Sequence, residues 1–284
     1  MLYSGTPWWS ASAPGSAREI SGRGTGDVGA PALGFARDAI GAGQLFPVPG
    51  SRKLWCLEPP ASRDELSDLV AEQIAYYRAR AGEYDQTAPW GAGPYRGNYV
   101  ELVDALEAFE PAGRVLELAC GTGQWTAELA KRASGVTALD SSPEMLAINK
   151  AQVSQDNVHY VEADLFSWSP VERYDVVFFS AWLSHVPPQL FDGFWRLVRG
   201  CLSDTGRVFL IDELPAWAAT ERRVPGTAAP TVERPLSSGQ RHRTIKVFYE
   251  PRELRERLVK LGWEVEIRTV GWRFFYATAQ LTGA

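Results

Sequence analysis

The chain has 284 residues, with 29 Lys and Arg against 34 Asp and Glu, a net charge of −5. At 45% hydrophobic and 22% charged it can bury a sizeable core, which excludes a wholly disordered or fibrous chain. The acidic balance excludes a broad nucleic-acid-binding surface, and no apolar run reaches the roughly 18 residues of a membrane span.

The first 60 residues contain 10 Gly and 7 Pro, so residues 1–60 are expected to form a disordered extension. They lack the basic start and apolar core of a secretory signal. Order is expected from 61 to 284. Ser62-Arg63-Asp64-Glu65 has the form of a capping box. Leu66, Leu69, Val70, Ile74 and Tyr77 then recur at helical spacing to about Gly82. A Gly/Pro-rich loop leads to a second helix, 98–109, which Pro111-Ala112-Gly113 stops. Together 61–110 read as a helical lid.

From there strands and helices alternate. Val115 to Leu118 reads as a buried strand, followed by a glycine loop and a helix to about Ala133. Val136 to Leu139 is a second strand, and Pro143 opens a helix at its favoured first position. Further strands are expected at 158–162, 175–179 and 206–211, with an amphipathic helix over 191–202. The tail predicts a helix (251–261) and strands at 263–270 and 272–278. This alternation means an α/β fold with a mostly parallel sheet sandwiched by helices. The rhythm fails over 214–248, an insertion in which Ser237-Ser238-Gly239 marks a hairpin turn before the strand-like run Ile245 to Phe248.

Glu117-Leu118-Ala119-Cys120-Gly121-Thr122-Gly123 lies at a strand-to-helix turn. Glycines there let a ligand approach the backbone, although a glycine loop by itself is weak evidence and also occurs as a plain turn. Asp140 ends the second strand, and an acid at that point suits a ribose hydroxyl pair. Asp164 and Leu165 follow the third strand, where a carboxylate accepts from an adenine amino group. Each acid alone is more often a helix cap or solvated loop residue. Their position at successive strand ends describes a nucleoside-binding crevice. A dinucleotide site is disfavoured, because Thr126 stands where its third glycine belongs.

At these residues the chain resembles the class I S-adenosylmethionine-dependent methyltransferases of the small-molecule type, over about Ala71 to Thr278. The resemblance implies a Rossmann-like seven-stranded sheet whose last strand is antiparallel. It further implies S-adenosyl-L-methionine as cofactor, contacted by Tyr77, Glu117, Ala119, Gly121, Gly123, Asp140, Ser141, Met145, Asp164, Leu165 and Ser180. Ala119 departs from the family, many of whose members have glycine there. Tyr76-Tyr77 and Tyr84-Asp85 are similar to the lid helix of small-molecule members.

The resemblance places the acceptor beside Ser180 to Pro187. His185 reads either as a general base, since imidazole titrates near neutrality, or as a residue that orders the loop or meets the methionine carboxylate. The expected reaction is methyl transfer to oxygen or nitrogen of a small, aromatic or partly apolar molecule. Carbon methylation of the quinone-biosynthesis type and a non-catalytic cofactor-binding protein are the alternatives. Trp90, Tyr95, Trp182, Trp217 and Phe248 are candidate apolar walls. Arg222-Arg223 and Arg241-His242-Arg243 read as a solvated hairpin edge or as a clamp for a carboxylate or phosphate. Three widely spaced cysteines (Cys56, Cys120, Cys201) make neither a disulfide framework nor a zinc site. A cytoplasmic setting and no metal are therefore expected. Eleven tryptophans suit either a ligand surface or a Trp-rich core.

Overall fold

Apolar, β-branched and aromatic runs bounded by turns form strands that are buried on both faces. The computed structural model describes residues 63–87 and 96–283. Its main strands begin with β1 (Arg114–Leu118), β2 (Gly135–Asp140), β3 (Val158–Glu162), β4 (Tyr174–Ser180) and β5 (Leu202–Glu213). After β6 (Arg223–Val224), β7 (Thr231–Pro235) and β8 (Arg241–Ile245) come β9 (Trp263–Val270) and β10 (Phe274–Leu281). Seven of them form one sheet in the order β3-β2-β1-β4-β5-β10-β9, and β6-β7-β8 form a second, three-stranded sheet. The pairs among β1 to β5 are parallel, whereas β10 runs antiparallel to both β5 and β9. This is the Rossmann-like seven-stranded sheet with an antiparallel last strand that the resemblance implies.

The helices are α1 (Arg63–Arg80), α2 (Tyr84–Thr87), α3 (Arg96–Phe109), α4 (Gln124–Ala130), α5 (Pro143–Gln152), α6 (Phe191–Cys201) and α7 (Pro251–Lys260). The period-two alternation of β4 divides the core. Val176 and Phe178 join Leu102, Leu106 and Leu129 on one face. Val177 and Phe179 join Trp195, Val198 and Leu258 on the other. In α6 the buried residues Phe191, Phe194, Trp195, Val198 and Cys201 keep the helical spacing of a core-facing stripe. Ser142 caps α5, its hydroxyl accepting the Met145 N–H at 3.1 Å, and Pro143 follows at the first turn.

The insertion is the second sheet, with Ser237 to Gly239 in the β7–β8 turn. It packs on α1 through Leu69, Ala229 and Ile245. Two expected strands shift. The run at 245–248 leaves the sheet after Ile245, because the Val247 N–H donates to the Ser184 carbonyl at 2.7 Å instead of continuing the ladder. The last strand begins at Phe274, not Trp272. Gly271 turns the chain at φ +58°, leaving Trp272 55% exposed. Residues 1–60, the Ser62 capping position, Trp90 and Tyr95 lie outside the described residues, among which no helix is long and apolar enough to cross a membrane.

Candidate functional site

The chain runs outward from β1 to β3 and then returns to place β4 against the other side of β1. At such a switch point the loops beyond adjacent strand ends diverge and leave a crevice. Here the crevice is a cavity of about 320 Å³, within the range of small-molecule sites. Its floor comes from loops after the strands: Ala119 and Gly121 after β1, Asp140 and Ser141 at β2, Ala163 to Phe166 after β3, and Ala181, Trp182 and His185 after β4. Glu213 ends β5 and Arg273 precedes β10 at the same edge, because β10 is antiparallel. The remaining wall comes from α1 and α2 (Gln73, Tyr76, Tyr77, Arg80, Tyr84) and from Trp217, Arg234 and Lys246.

The glycine loop is held from behind. Glu117, buried in β1, accepts the Thr126 hydroxyl at 2.6 Å. Asn149 of α5 donates to the Thr126 hydroxyl at 2.9 Å and to the Gly121 carbonyl at 3.3 Å. Burial, with Asp140 nearby, pushes the Glu117 carboxyl up to about 8 against the Thr126 hydrogen bond, so it is protonated at neutral pH. Gly123, at φ +101°, lets α4 approach α5: a Cβ there would stand 2.5 Å from the Asn149 side-chain oxygen. Gly121 differs. At φ +54° a Cβ would meet nothing within 4 Å, so its face is open to the cavity. Asp140 accepts the Gly121 N–H and the Ser142 N–H, each at 2.9 Å. Burial raises its pKa against these backbone donors. Asp164 takes the Phe166 N–H at 3.0 Å on one oxygen.

The other end of the cavity is cationic. Lys246, 4% exposed, donates to the Ser184 hydroxyl at 2.9 Å and pairs with Glu213 at 2.7 Å. Arg273 pairs with the other oxygen of Glu213, its Nε at 2.9 Å. Burial raises the Glu213 pKa, but Lys246 and Arg273 outweigh it and hold the carboxyl at about 2. Arg234 pairs with Glu221. Arg80 donates to the Thr87 hydroxyl at 2.8 Å and lies 4.7 Å over the Tyr84 ring, with no carboxylate partner among the described residues. His185, also buried, places Nδ1 2.6 Å from the Ile245 carbonyl and Nε2 2.8 Å from the Tyr77 hydroxyl.

Of the expected contact residues, Tyr77, Ala119, Gly121, Asp140, Ser141, Met145, Asp164, Leu165 and His185 line the cavity together. Glu117, Gly123 and Ser180 do not: the first two support the glycine loop from behind, and the Ser180 hydroxyl is buried without a partner among the described residues. Trp182 and Trp217 line the cavity, whereas Phe248 lies outside it against Lys246. Of the two readings of the insertion's basic residues, the geometry agrees with the solvated hairpin edge and not with a clamp. Arg222 and Arg241 pair with Glu233, and Arg243 with Glu72, on the surface. The cavity cations are Arg80, Arg234, Lys246 and Arg273. Sequence reasoning missed these four, which come from separate segments with no spacing that announces their meeting.

Residues 115–206 match the family model described as a methyltransferase domain. Over 90 residues the chain is 40% identical to trans-aconitate 2-methyltransferase of Escherichia coli, a match spanning 31% of this chain and only 34% of that enzyme. Among solved structures, the DhpI–SAH complex is 39% identical, covering 76% of this chain and 98% of that one with a TM-score of 0.66. The chain belongs to the class I S-adenosylmethionine-dependent methyltransferases. The DhpI–SAM–HEP complex matches comparably, 40% identical over 75% of this chain and 97% of that one, at a TM-score of 0.66.

The cofactor of this methyltransferase family is S-adenosylmethionine, and the donor set suits it. The open face of Gly121, the ribose-competent acceptor Asp140 and the second acid Asp164 stand at three successive strand ends. A carboxylate oxygen accepts more than one hydrogen bond, so Asp140 keeps capacity beyond its two backbone donors. The Trp182 indole N–H adds a buried donor that lacks a partner among the described residues.

Proposed function

We propose that this methyltransferase transfers the methyl group of S-adenosylmethionine to an oxygen or nitrogen of a small, partly apolar molecule that carries an acid group. The carrying observation is the cationic end of the cavity. Lys246 and Arg273 both pair with Glu213, and Arg80 has no carboxylate at ion-pair distance among the described residues. Arginine forks and a buried ammonium match carboxylate or phosphate oxygens. Tyr76, Tyr84, Trp182 and Trp217 on the same walls supply apolar faces for the body of the molecule. The name of the partly matching trans-aconitate enzyme agrees with an acidic acceptor.

When bound, the cofactor supplies a methyl carbon already activated by its sulfonium. The chain's part is then alignment and exclusion of water. Asp140, Asp164 and the Gly121 backbone hold the nucleoside end, while α1 and the second sheet cover the acceptor end. Where the accepting atom is an oxygen of the acid group itself, it is already ionised at neutral pH and needs no base.

The test is a screen of small carboxylic acids, phosphate monoesters, phenols and amines with isotopically labelled S-adenosylmethionine, read by mass spectrometry. Labelled product from acid-bearing compounds, lost in Lys246→Met and Arg234→Gln, is the expected outcome. Turnover confined to uncharged phenols or amines, unchanged in both variants, would refute the acid group.

A further inference from the structure

His185 ends the 3-10 turn Leu183–His185 that follows β4, and the residue is 3% exposed. Both ring nitrogens are engaged. The Ile245 carbonyl, 2.6 Å from Nδ1, can only accept, so Nδ1 carries a proton and donates it. Neutral imidazole then leaves Nε2 bare, and the Tyr77 hydroxyl at 2.8 Å donates to it. Arg234 Nη1 reaches the same Tyr77 oxygen at 3.4 Å, as expected when that oxygen accepts.

A doubly protonated ring would be a buried cation facing Lys246 from the segment after β8, Arg234 from β7 and Arg80 from α1. The acids nearby, Glu213 of β5 and Glu221, are already paired with Lys246 and Arg234. Burial, then Lys246 and Arg234, hold His185 well below its ordinary pKa, against the Ile245 hydrogen bond. Gln73, one helical turn before Tyr77, fixes both ends of the arrangement. Its amide donates to the His185 carbonyl at 3.2 Å and accepts the Ile245 N–H at 3.0 Å.

From this geometry we infer that His185 is a positioning residue acting through Tyr77: it holds the phenolic proton away from the cavity, so the Tyr77 oxygen meets ligands as a hydrogen-bond acceptor only. A group lying against Tyr77 must therefore bring a hydrogen or a positive charge, and an acid group is directed towards Lys246 and Arg234. His185 does not take a proton from the acceptor. The inference rests on the methyl-transfer reading of the cavity only for its bearing on the reaction; the pairing itself is tested separately.

The experiment is ¹⁵N NMR of the full chain labelled at histidine, from pH 5.5 to 9. The sequence has three histidines, so His185→Gln assigns the signal. His159→Gln and His242→Gln assign it by elimination if that variant does not fold. The expected spectrum is a neutral ring protonated at Nδ1 throughout the range. Tyr77→Phe should shift the Nε2 resonance towards that of an unbonded ring nitrogen while Nδ1 stays protonated. Titration with a midpoint between pH 6 and 7, a proton on Nε2, or an Nε2 signal unmoved by Tyr77→Phe would each overturn the assignment. Calorimetry with S-adenosylmethionine on the unmutated chain tests the methyl-transfer reading: absence of binding defeats that reading and leaves the NMR test of the pair unaffected.

Discussion

Ala119 sits at φ +52°, in the left-handed region where a Cβ crowds the following carbonyl and costs roughly 1–2 kcal/mol. The strain explains why many family members place glycine at this point of the loop. Ala119→Gly is expected to stabilise the fold by up to about 1 kcal/mol, part of the relief being offset by the entropy of glycine. Urea denaturation measures it, and a clear loss would show that the methyl group packs against something worth more than the strain. At the cofactor end, Asp140→Ala removes a charged acceptor and frees the Gly121 N–H. Hydrogen bonds to charged groups are worth about 1.5–3 kcal/mol, so affinity for S-adenosylmethionine should fall at least tenfold in calorimetry. Wild-type affinity in a folded Asp140→Ala variant would remove Asp140 from the site.

At the scale of elements, the lid is attached by few but specific polar ties. Asp85, in α2, accepts the Thr122 hydroxyl at 2.6 Å and the Gln152 amide at 2.9 Å. Arg78 of α1 pairs with Glu144 of α5 at 3.0 Å, an exposed pair worth little by itself. Gln73 is the deep tie, 2% exposed and bonded to backbone groups of two other segments. Gln73→Ala leaves a buried N–H and a buried carbonyl unmatched, each costing about 1–3 kcal/mol. A total loss of about 2–4 kcal/mol in chemical denaturation is expected. A change below about 0.5 kcal/mol would mean that α1 is not held through this residue. Asp85→Ala should raise amide hydrogen exchange over 81–87 while the melting temperature stays near wild type, since the tie is local. Unchanged exchange would show that α2 needs no anchor on the glycine loop.

For the whole molecule, buried titratable groups set the pH range of stability in opposite directions. Glu117 moves from 4.5 to about 8 on folding, so the native state binds the extra proton. Stability is therefore greatest below 4.5 for this group and is lost as pH rises through about 8, by up to about 1.4 kcal/mol per pH unit. Glu213 is held at about 2 against 4.5, so its contribution is present above 4.5 and is lost as pH falls towards 2. His185, held below 6.5, likewise costs stability as pH falls below 6.5, where the unfolded chain takes up a proton. For Glu117 the urea midpoint should fall towards about pH 8 and level off above it, and Glu117→Gln should flatten that decline. A slope identical in the variant would mean that Glu117 ionises normally. We also propose that a chain starting at Ala61 melts within a few degrees of the full one, because residues 1–60 offer little apolar periodicity to bury. A large drop would refute that.

Much of this protein was legible in the amino-acid order because the relevant physics is local. Strand length and β-branched content, Pro143 at a helix start, and the Gly121 and Gly123 loop followed by Asp140 and Asp164 depend on neighbours a few residues away. They determined the sheet, its switch point and the cavity edge at which Gly121, Asp140 and Asp164 stand. Only tertiary structure separated Gly121, which opens on the cavity, from Gly123, which opens on Asn149, since both carry the same left-handed backbone. It left the conspicuous Arg241 and Arg243 on surface acids and brought Arg234, Lys246 and Arg273 to the cavity. Those three come from separate segments, and nothing in their spacing announces that they meet. The pairing of Tyr77 with His185, 108 residues apart, was equally beyond the sequence. Burial, the Ile245 carbonyl and the surrounding cations decide the state of that imidazole, and each arrives only when α1, β8 and the turn after β4 pack together.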